Sequence, residues 1–347
     1  YALGSDGTAP NKHLPLLLGD KSLMLIVDNL EHLVGGELAS LLGDILAATP
    51  GVKLLATSRE RLNLRAETLF VLGGMNDTGR ADHELSFDEE EAADAVRLFL
   101  QSARRSQPDF ALTEDNAAAV NQICTLAGGM PLAIELAAGW VALLEPQEIV
   151  VELERSLDIL STTMHDVPER QRSLRAVFDG SWQRLSDQEQ ETFLRLSVFR
   201  GGFQREEGEL AAGVTLPVLL LLVSKSFLQR TSTSRFGLHE QMRFFANERL
   251  HQDEQAWEAA KEAHSQAYAA FLARQLPRLR GEEQRAAMAD IDGDFDNIRV
   301  AWAWLIRRGD FDALVEQILP ALHRYAILTM RFAEVNALLK QALDQLA

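Results

Sequence analysis

The sequence predicts a multidomain protein in which a short α/β region precedes a mainly α-helical remainder. A continuous apolar run at 23–27 and a mostly apolar run at 52–57 are typical of parallel strands buried on both faces. From residue 88 onward, apolar residues recur at helical spacing almost to the end of the chain. The length of 347 residues is enough for two or three domains.

A helix is predicted between the two apolar runs, because Leu residues and one Ile recur at helical spacing from Leu38 to Leu46. Pro50-Gly51 ends this helix. The result is a strand–helix–strand unit, whose crossover is right-handed when the two strands are parallel. A third strand is predicted at 68–72, where Gly73-Gly74 closes it.

Composition narrows the classes of function. The formal net charge is −17 and no long basic stripe is present, so nucleic acid is not an expected partner. The one cysteine, Cys124, excludes a disulfide or Cys-based metal site within the chain, and its helical context predicts a buried small residue. The longest apolar run, at 216–223, is too short to span a bilayer, and the chain starts without a recognisable signal peptide. We expect a cytoplasmic protein with no membrane partner.

The first helical region predicts helices over 92–103 and 120–127, the second ending at Gly128-Gly129. Pro131 then opens a helix over 132–144, which is apolar nearly all round and is expected to be buried. A polar stretch at 161–172 predicts a linker.

The next region has the outline of a winged helix, with three helices and a hairpin. The helices are expected at 174–182, after a capping box at 186–189, and at 216–223. Short strands are expected at 227–230 and 235–238, followed by a helix over 242–250. The remainder, 255–347, predicts paired antiparallel helices similar to a helical repeat array, although no clean repeat period is present.

Asp28 and Arg59 are candidate binding residues because each follows a predicted parallel strand. Ligands of open α/β sheets bind at the carboxyl ends of strands, where a carboxylate can hold Mg²⁺ against phosphates. The planar fork of Arg59 suits a terminal phosphate. Two plainer interpretations stay open: Asp28 caps the following helix, and Arg59 is a surface residue paired with a carboxylate.

Two later segments are also candidates. The turn 129–131 is rigid and opens a buried helix, so Pro131 could pack on an adenine ring, although ordinary helix punctuation explains the same residues. Glu31 lies close to Asp28 in sequence and is a weak candidate for a catalytic acid or base.

Several segments, in the same order along nearly the whole chain, resemble bacterial STAND ATPases (signal transduction ATPases with numerous domains) related to NB-ARC proteins. The segment LIVDNLEHL at 25–33 is similar to their Walker B strand, LLATSRE at 54–60 to their sensor strand and GMPLAIELAA at 129–138 to their glycine–x–proline segment. Three segments resemble the family's winged-helix region, RQRSLR at 170–175, LRLSVFRGGF at 194–203 and KSFL at 225–228, and LHE at 238–240 is similar to its methionine–histidine–aspartate motif. The likeness is strongest to predicted ATPases fused to transcriptional regulators or signalling domains.

The resemblance implies a fold of four parts and a role for each candidate residue. The parts are the end of a P-loop NTPase sheet (1–80), a helical domain (81–160), a winged helix (161–252) and a tetratricopeptide-like (TPR-like) helical tail (253–347). Asp28 would bind Mg²⁺, Arg59 would sense the terminal phosphate of ATP, and Pro131 would touch adenine. His239 would reach the diphosphate of ADP and lock a closed state, although a histidine at a helix start with a satisfied hydrogen bond is the plainer interpretation.

Two departures from the family pattern are expected to matter. Nothing in the chain matches G-x-x-x-x-G-K-[ST], the phosphate-binding loop, so we expect a piece of a longer protein that begins after that loop and binds ATP or ADP weakly by itself. Asn29 follows Asp28 where many NTPases have a second acid, and an amide cannot accept a proton as a carboxylate does. Slow hydrolysis suits a switch better than a metabolic enzyme.

Three functions are consistent with the sequence. The first is a nucleotide switch that controls an effector domain outside this chain, with protein partners on the helical tail and self-association on activation. The second is a DNA-binding regulator acting through the winged helix. The acidic composition counts against it, and so does the helix at 216–223, which is wholly apolar and expected to be buried rather than to read bases. The third is a protein-interaction scaffold whose nucleotide domain is degenerate.

Overall fold

The computed structural model describes residues 14, 18–19, 21–32, 37–75, 94–162, 172–231 and 234–346. Contacts divide the chain into two compact units. The first unit comprises 1–72 and 220–226, and the second comprises 73–219 and 227–347. The division into four domains stays a prediction.

The first unit contains the predicted strand–helix–strand motif. Strand β1 (Leu23–Val27) pairs in parallel with β2 (Val52–Ala56), in a register that places Val27 opposite Ala56. Helix α1 (Glu37–Ala48) connects them and packs against β2. The predicted motif and its parallel pairing are confirmed.

Two expectations about this unit are wrong. The sheet is not buried on both faces, because Met24, Ile26 and Leu55 are each more than half exposed. The third strand is absent: the segment 68–72 has irregular backbone, and the side chains at 70–72 are 78–88% exposed. An apolar run favours a strand only when neighbouring backbone pairs with it, so composition overestimated both the strand and the burial.

The second unit begins with helices that surround an apolar centre. They are α2 (Asp94–Ser106), α3 (Glu114–Leu126), α4 (Pro131–Ala138), a 3₁₀ turn (Gly139–Ala142), α5 (Pro146–Arg155) and a 3₁₀ turn (Leu157–Ile159). Cys124 is a buried small residue on α3, as predicted. The helix predicted over 132–144 is shorter, because it tightens to 3₁₀ at Gly139 and leaves Leu143 exposed. The predicted linker at 161–172 lies mostly outside the described residues.

Five helices and a small antiparallel sheet follow in the described part of the chain, and the end of α9 from Leu220 onward belongs to the first unit. The helices are α6 (Leu174–Trp182), α7 (Asp187–Leu196), α8 (Arg205–Ala212), α9 (Leu216–Ser224) and α10 (Glu240–Leu250). The capping box at Ser186 and Glu189 starts α7, as predicted. The strands are β3 (Phe203–Gln204), β4 (Gln229–Arg230) and β5 (Arg235–Gly237), in the order β3-β5-β4. Sequence patterns missed β3 and α8. Helix α9 is only half buried, because Leu216 and Leu220 are each 61% exposed.

The tail consists of long paired helices. They are α11 (Glu254–Arg278), α12 (Gln284–Arg308), α13 (Phe311–Ala313), a π-helical turn (Leu314–Ile318), α14 (Leu319–Thr329) and α15 (Phe332–Leu346). Contacts from α11 to α12 run in opposite directions along the two helices, so the pair is antiparallel, as predicted. Among the described residues no single helix is long and apolar enough to cross a membrane. Taken together, the bent pair α8 and α9 is long and apolar enough, by length and composition alone.

Candidate functional site

The ends of β1 and β2 bring together a group of polar side chains that we call the strand-tip cluster: Asp28, Glu31, Thr57 and Arg59. Because Val27 lies opposite Ala56, Asp28 and Thr57 leave the sheet side by side. The Thr57 hydroxyl donates a hydrogen bond to Asp28 Oδ1 and accepts one from the Asn29 amide at 3.0 Å. The two predicted strand ends are therefore neighbours, with Thr57 directly beside Asp28.

The chain turns sharply after Asp28, and this turn places Glu31. Asn29 has φ 63°, a left-handed conformation that asparagine tolerates better than most residues. The Leu30 amide donates to the Thr57 carbonyl at 3.0 Å, and the Leu30 side chain is buried. Both contacts hold the 3₁₀ turn Leu30–His32 against the end of β2.

Arg59 pairs with a carboxylate in the same cluster. Its Nε lies 3.4 Å from Glu31 Oε1, and the Glu31 side chain is buried whereas that of Arg59 is about half exposed. The Arg59 carbonyl accepts a hydrogen bond of 2.6 Å from the Ser226 hydroxyl, which fixes the backbone beneath the guanidinium. The plainer interpretation of Arg59 therefore describes this structure, and the catalytic role of Glu31 stays a prediction.

The donor set of the strand-tip cluster suits Mg²⁺ that is bound together with phosphates. Asp28 is exposed and offers carboxylate oxygen, with the Thr57 hydroxyl beside it. Mg²⁺ in nucleotide sites takes one or two protein carboxylates and completes its shell with phosphate oxygens and water. Within the described ranges, no group of three or more His, Cys, Asp or Glu residues could hold a metal ion alone. The cluster fits a nucleotide-dependent metal site better than a self-sufficient one.

In the second unit, His239 bridges two segments that are distant in sequence. It is the N-cap of α10, where its Nδ1 accepts from the Gln241 amide at 3.4 Å. Its Nε2 lies 2.9 Å from the Gly128 carbonyl oxygen. Because Nδ1 accepts, Nε2 carries the proton and donates it to Gly128. Burial lowers the pKa of His239 and outweighs the hydrogen bond to Gly128, which raises it, so the ring is neutral at pH 7.

The partner of His239 is a pair of glycines, Gly128-Gly129, which we call the glycine turn. Both residues have positive φ, 62° and 66°. A Cβ on Gly128 would lie 2.0 Å from His239 Cε1, and one on Gly129 would lie 2.4 Å from the Met75 carbonyl oxygen. A side chain at Gly128 would therefore push away His239, and one at Gly129 would push away the backbone at Met75. Gln241 adds a second link, since its side-chain amide donates to the Leu126 carbonyl.

Pro131 follows the glycine turn and starts α4, with its ring exposed. Its missing N–H costs nothing at this first helical position. The structure thus brings His239 close to the glycine–x–proline segment within one unit. It separately brings Asp28, Glu31 and Arg59 together in the other unit.

Sequence reasoning missed two partners. Thr57 was noted only as part of a strand end, although a hydroxyl at a strand tip next to a carboxylate is a recognisable signal. Gly128 was interpreted as helix punctuation, although paired glycines are also typical of a close approach between backbone and another group.

Substituting Gly128 by Ala is expected to disrupt the contact with His239. An Ala at this φ costs about 1–2 kcal/mol in any context, and its methyl group would displace the imidazole. The freed ring should recover water, so the pKa of His239 should rise toward its ordinary value. NMR titration of His239 and urea unfolding measure the two effects.

The matched control for this variant is Gly309→Ala. Gly309 has φ 71°, and a Cβ there would meet nothing within 4 Å. Both variants should lose similar stability from backbone strain, but only Gly128→Ala should change the His239 titration. Equal titration curves for the two variants would show that the hydrogen bond to Gly128 is unimportant.

Comparison with known proteins gives two kinds of mycobacterial relative. No family model matches the chain. It is 33% identical over 313 residues to a protein of Mycobacterium tuberculosis named "putative HTH-type transcriptional regulator", which covers 87% of this chain and 33% of that protein. The corresponding protein of Mycobacterium bovis matches to the same extent. An "uncharacterized protein" of Mycobacterium tuberculosis is 30% identical over 221 residues, covering 61% of this chain and 52% of that protein. The chain thus spans a third to a half of the length of these curated relatives.

A solved structure is also similar. It is a STAND protein with a tetratricopeptide repeat sensor from Pyrococcus horikoshii, 14% identical, covering 96% of this chain and 51% of that chain with a TM-score of 0.24. A TM-score this low carries no argument about the present chain.

Proposed function

We propose that this chain is the switch portion of an ATP- and ADP-dependent STAND ATPase that controls an attached regulatory or effector domain. The observation that carries the proposal is the His239 contact, because it joins the start of α10 to the turn before the glycine–x–proline segment. The name of the mycobacterial relative supports a regulatory output.

The switch follows from a competition for one proton donor. In this structure the His239 Nε2–H group donates to Gly128. The same group cannot also donate to a phosphate oxygen, so contact with Gly128 and contact with a diphosphate are exclusive arrangements. A ligand that binds one of two arrangements more tightly shifts the equilibrium between them. His239 would thus report whether ADP is bound.

The strand-tip cluster would serve the phosphates. Asp28 would hold Mg²⁺, with its carboxylate oriented by the Thr57 hydroxyl. Arg59 would reach the terminal phosphate by exchanging its Glu31 partner, and the exposed ring of Pro131 would pack on the flat adenine base. Bound Mg²⁺ would supply charge neutralisation at the phosphates. The family likeness at 25–33, 54–60 and 129–138 supports these roles.

A DNA-binding output through α9 is the less favoured proposal. The helices α6, α7 and α9 and the antiparallel pair β4 and β5 occur in the order of the predicted winged helix, which supports this proposal. The sequence of α9, LPVLLLLVS, contains no Arg, Lys, Asn or Gln, which are the residues that most often read base edges. We therefore place any DNA-binding function in the remainder of the longer protein.

The test is ADP release from the longer protein, with its upstream segment present. His239→Ala removes one hydrogen bond to a charged ligand, worth about 1.5–3 kcal/mol, and should speed ADP dissociation by about tenfold or more. A fluorescent ADP analogue measured by stopped flow gives the rate. His251→Ala, at the other end of α10, is the control and should leave the rate unchanged. Unchanged release from His239→Ala would contradict the proposed role.

A further inference from the structure

Strand β5 is held near both ends by side-chain contacts with different parts of the second unit. Its first residue, Arg235, donates to Asp294 on α12 through both guanidinium nitrogens, at 2.7 and 3.0 Å. Arg235 also donates to the Gly293 carbonyl at 2.9 Å. Two residues beyond the strand, His239 contacts Gly128. The tail and the glycine turn are therefore linked through one short segment.

In the helical tail, this link ends at a buried carboxylate with several hydrogen-bond donors. Asp294 has no exposed surface, and its Oδ1 also accepts from the Tyr268 hydroxyl at 2.7 Å and the Asn297 amide at 3.1 Å. Each carboxylate oxygen of Asp294 thus has at least one donor, and the donors come from α11, α12 and β5. A buried charge satisfied this fully is costly to displace.

Asn297 provides a second set of hydrogen bonds between α12 and the sheet region. Its side-chain amide donates to the Gly202 carbonyl at 2.8 Å and accepts from the Arg200 amide at 2.7 Å. Gly202 has φ 94°, and a Cβ there would lie 2.7 Å from the Phe236 carbonyl oxygen in β5. Helix α12 therefore holds both β5 and the turn that enters β3.

The strand itself is suited to transmit a displacement. It is the central strand of the sheet and pairs with β3 on one side and β4 on the other. The four residue steps from Arg235 to His239 span about 13 Å at about 3.3 Å each. A strand paired on both sides moves as a unit, because a shift at one end breaks pairing along its length.

We infer that β5 couples the helical tail to the His239–Gly128 contact, so that a partner that moves α12 loosens the glycine turn. The use of this coupling to control a nucleotide switch rests on the proposed function. The physical link between α12 and the glycine turn does not, and it can be tested without any nucleotide. It gives the tail's predicted protein partners a route to the switch.

The test compares two Asp→Asn substitutions on α12. Asp294→Asn weakens the ion pair with Arg235 on β5. Asp292→Asn removes contacts with Tyr325 and Arg331 that do not involve β5. Hydrogen exchange of the amides at 127–130 is the measurement. We expect at least about fivefold faster exchange there in Asp294→Asn, the lower end of ordinary coupling between sites, and no change in Asp292→Asn. Normal exchange at 127–130 in Asp294→Asn, with faster exchange at 290–297, would overturn the inference.

A reciprocal variant covers the case in which Asp294→Asn does not fold. Coupling between sites is symmetric, so His239→Ala, at a partly exposed position, should speed exchange at 290–297. No change at 290–297 would also overturn the inference. If both exchange effects occur while ADP release is unchanged by His239→Ala, the coupling stands and only the nucleotide function fails.

Discussion

Lowering the pH from 7 to 4.5 is expected to reduce the free energy of unfolding by about 3 kcal/mol through His264 alone. His264 is completely buried, and burial lowers its pKa to about 3. The charges of Lys261 and Arg200 lower the pKa further, and the hydrogen bond that His264 makes to the Asn297 side-chain oxygen raises it. The unfolded chain has an ordinary histidine pKa near 6.5. Between these values the unfolded state binds the extra proton, so the stabilisation is complete above pH 6.5 and is lost as the pH falls toward 3.

Urea unfolding of the wild type and of His264→Phe at both pH values measures this contribution. The ring centroid of His264 lies 4.9 Å from that of Phe199 and 4.8 Å from that of Tyr268, so a phenyl ring suits the site. Fluorescence reports on the tail, because Trp257, Trp302 and Trp304 lie on α11 and α12. The variant should lose about 3 kcal/mol less than the wild type on acidification. An equal loss in both proteins would mean that His264 is protonated in the folded state.

Arg235→Met is expected to lower the free energy of unfolding by about 3–5 kcal/mol. The side chain of Asp294 has no exposed surface and that of Arg235 has 17%, so removing the guanidinium leaves a buried carboxylate without its counter-charge. The hydrogen bonds from Tyr268 and Asn297 remain but cannot neutralise it.

The comparison variant is Arg331→Met, which breaks an ion pair with Asp292. The two side chains there are 40% and 45% exposed, and such pairs contribute about 0–1 kcal/mol. Urea unfolding of both variants at pH 7 tests the difference. Similar losses would show that burial does not govern the strength of the Arg235–Asp294 pair.

Local signals predicted the elements well where the information lies within a few residues. The capping box at Ser186 and the Gly-Pro punctuation around residue 130 were correct, because a cap or a turn depends on nearby backbone groups. The parallel strands at 23–27 and 52–56 were also correct, and with them the neighbourhood of Asp28 and Thr57. This part of the site follows from topology, since parallel strands end at the same edge of a sheet.

Burial and side-chain partners could not be predicted in the same way. An apolar run predicted a strand at 68–72, which the structure lacks, and a buried helix at 216–223, which is only half buried. The partners of His239 and Arg235 lie 111 and 59 residues away in sequence. Patterns of helical or strand periodicity cover only residues that are close in sequence, so they cannot reveal such pairs.

By itself the sequence determined the capped start of α7, the parallel pairing of β1 and β2, and the type of residue at each strand tip, because these depend on periodicity and short-range backbone chemistry. Only the tertiary structure decided that Glu31 pairs with Arg59, that His239 donates to Gly128, and that Asp294 holds β5. Each of these contacts requires two distant segments to be desolvated together, and its strength depends on the burial that packing alone creates.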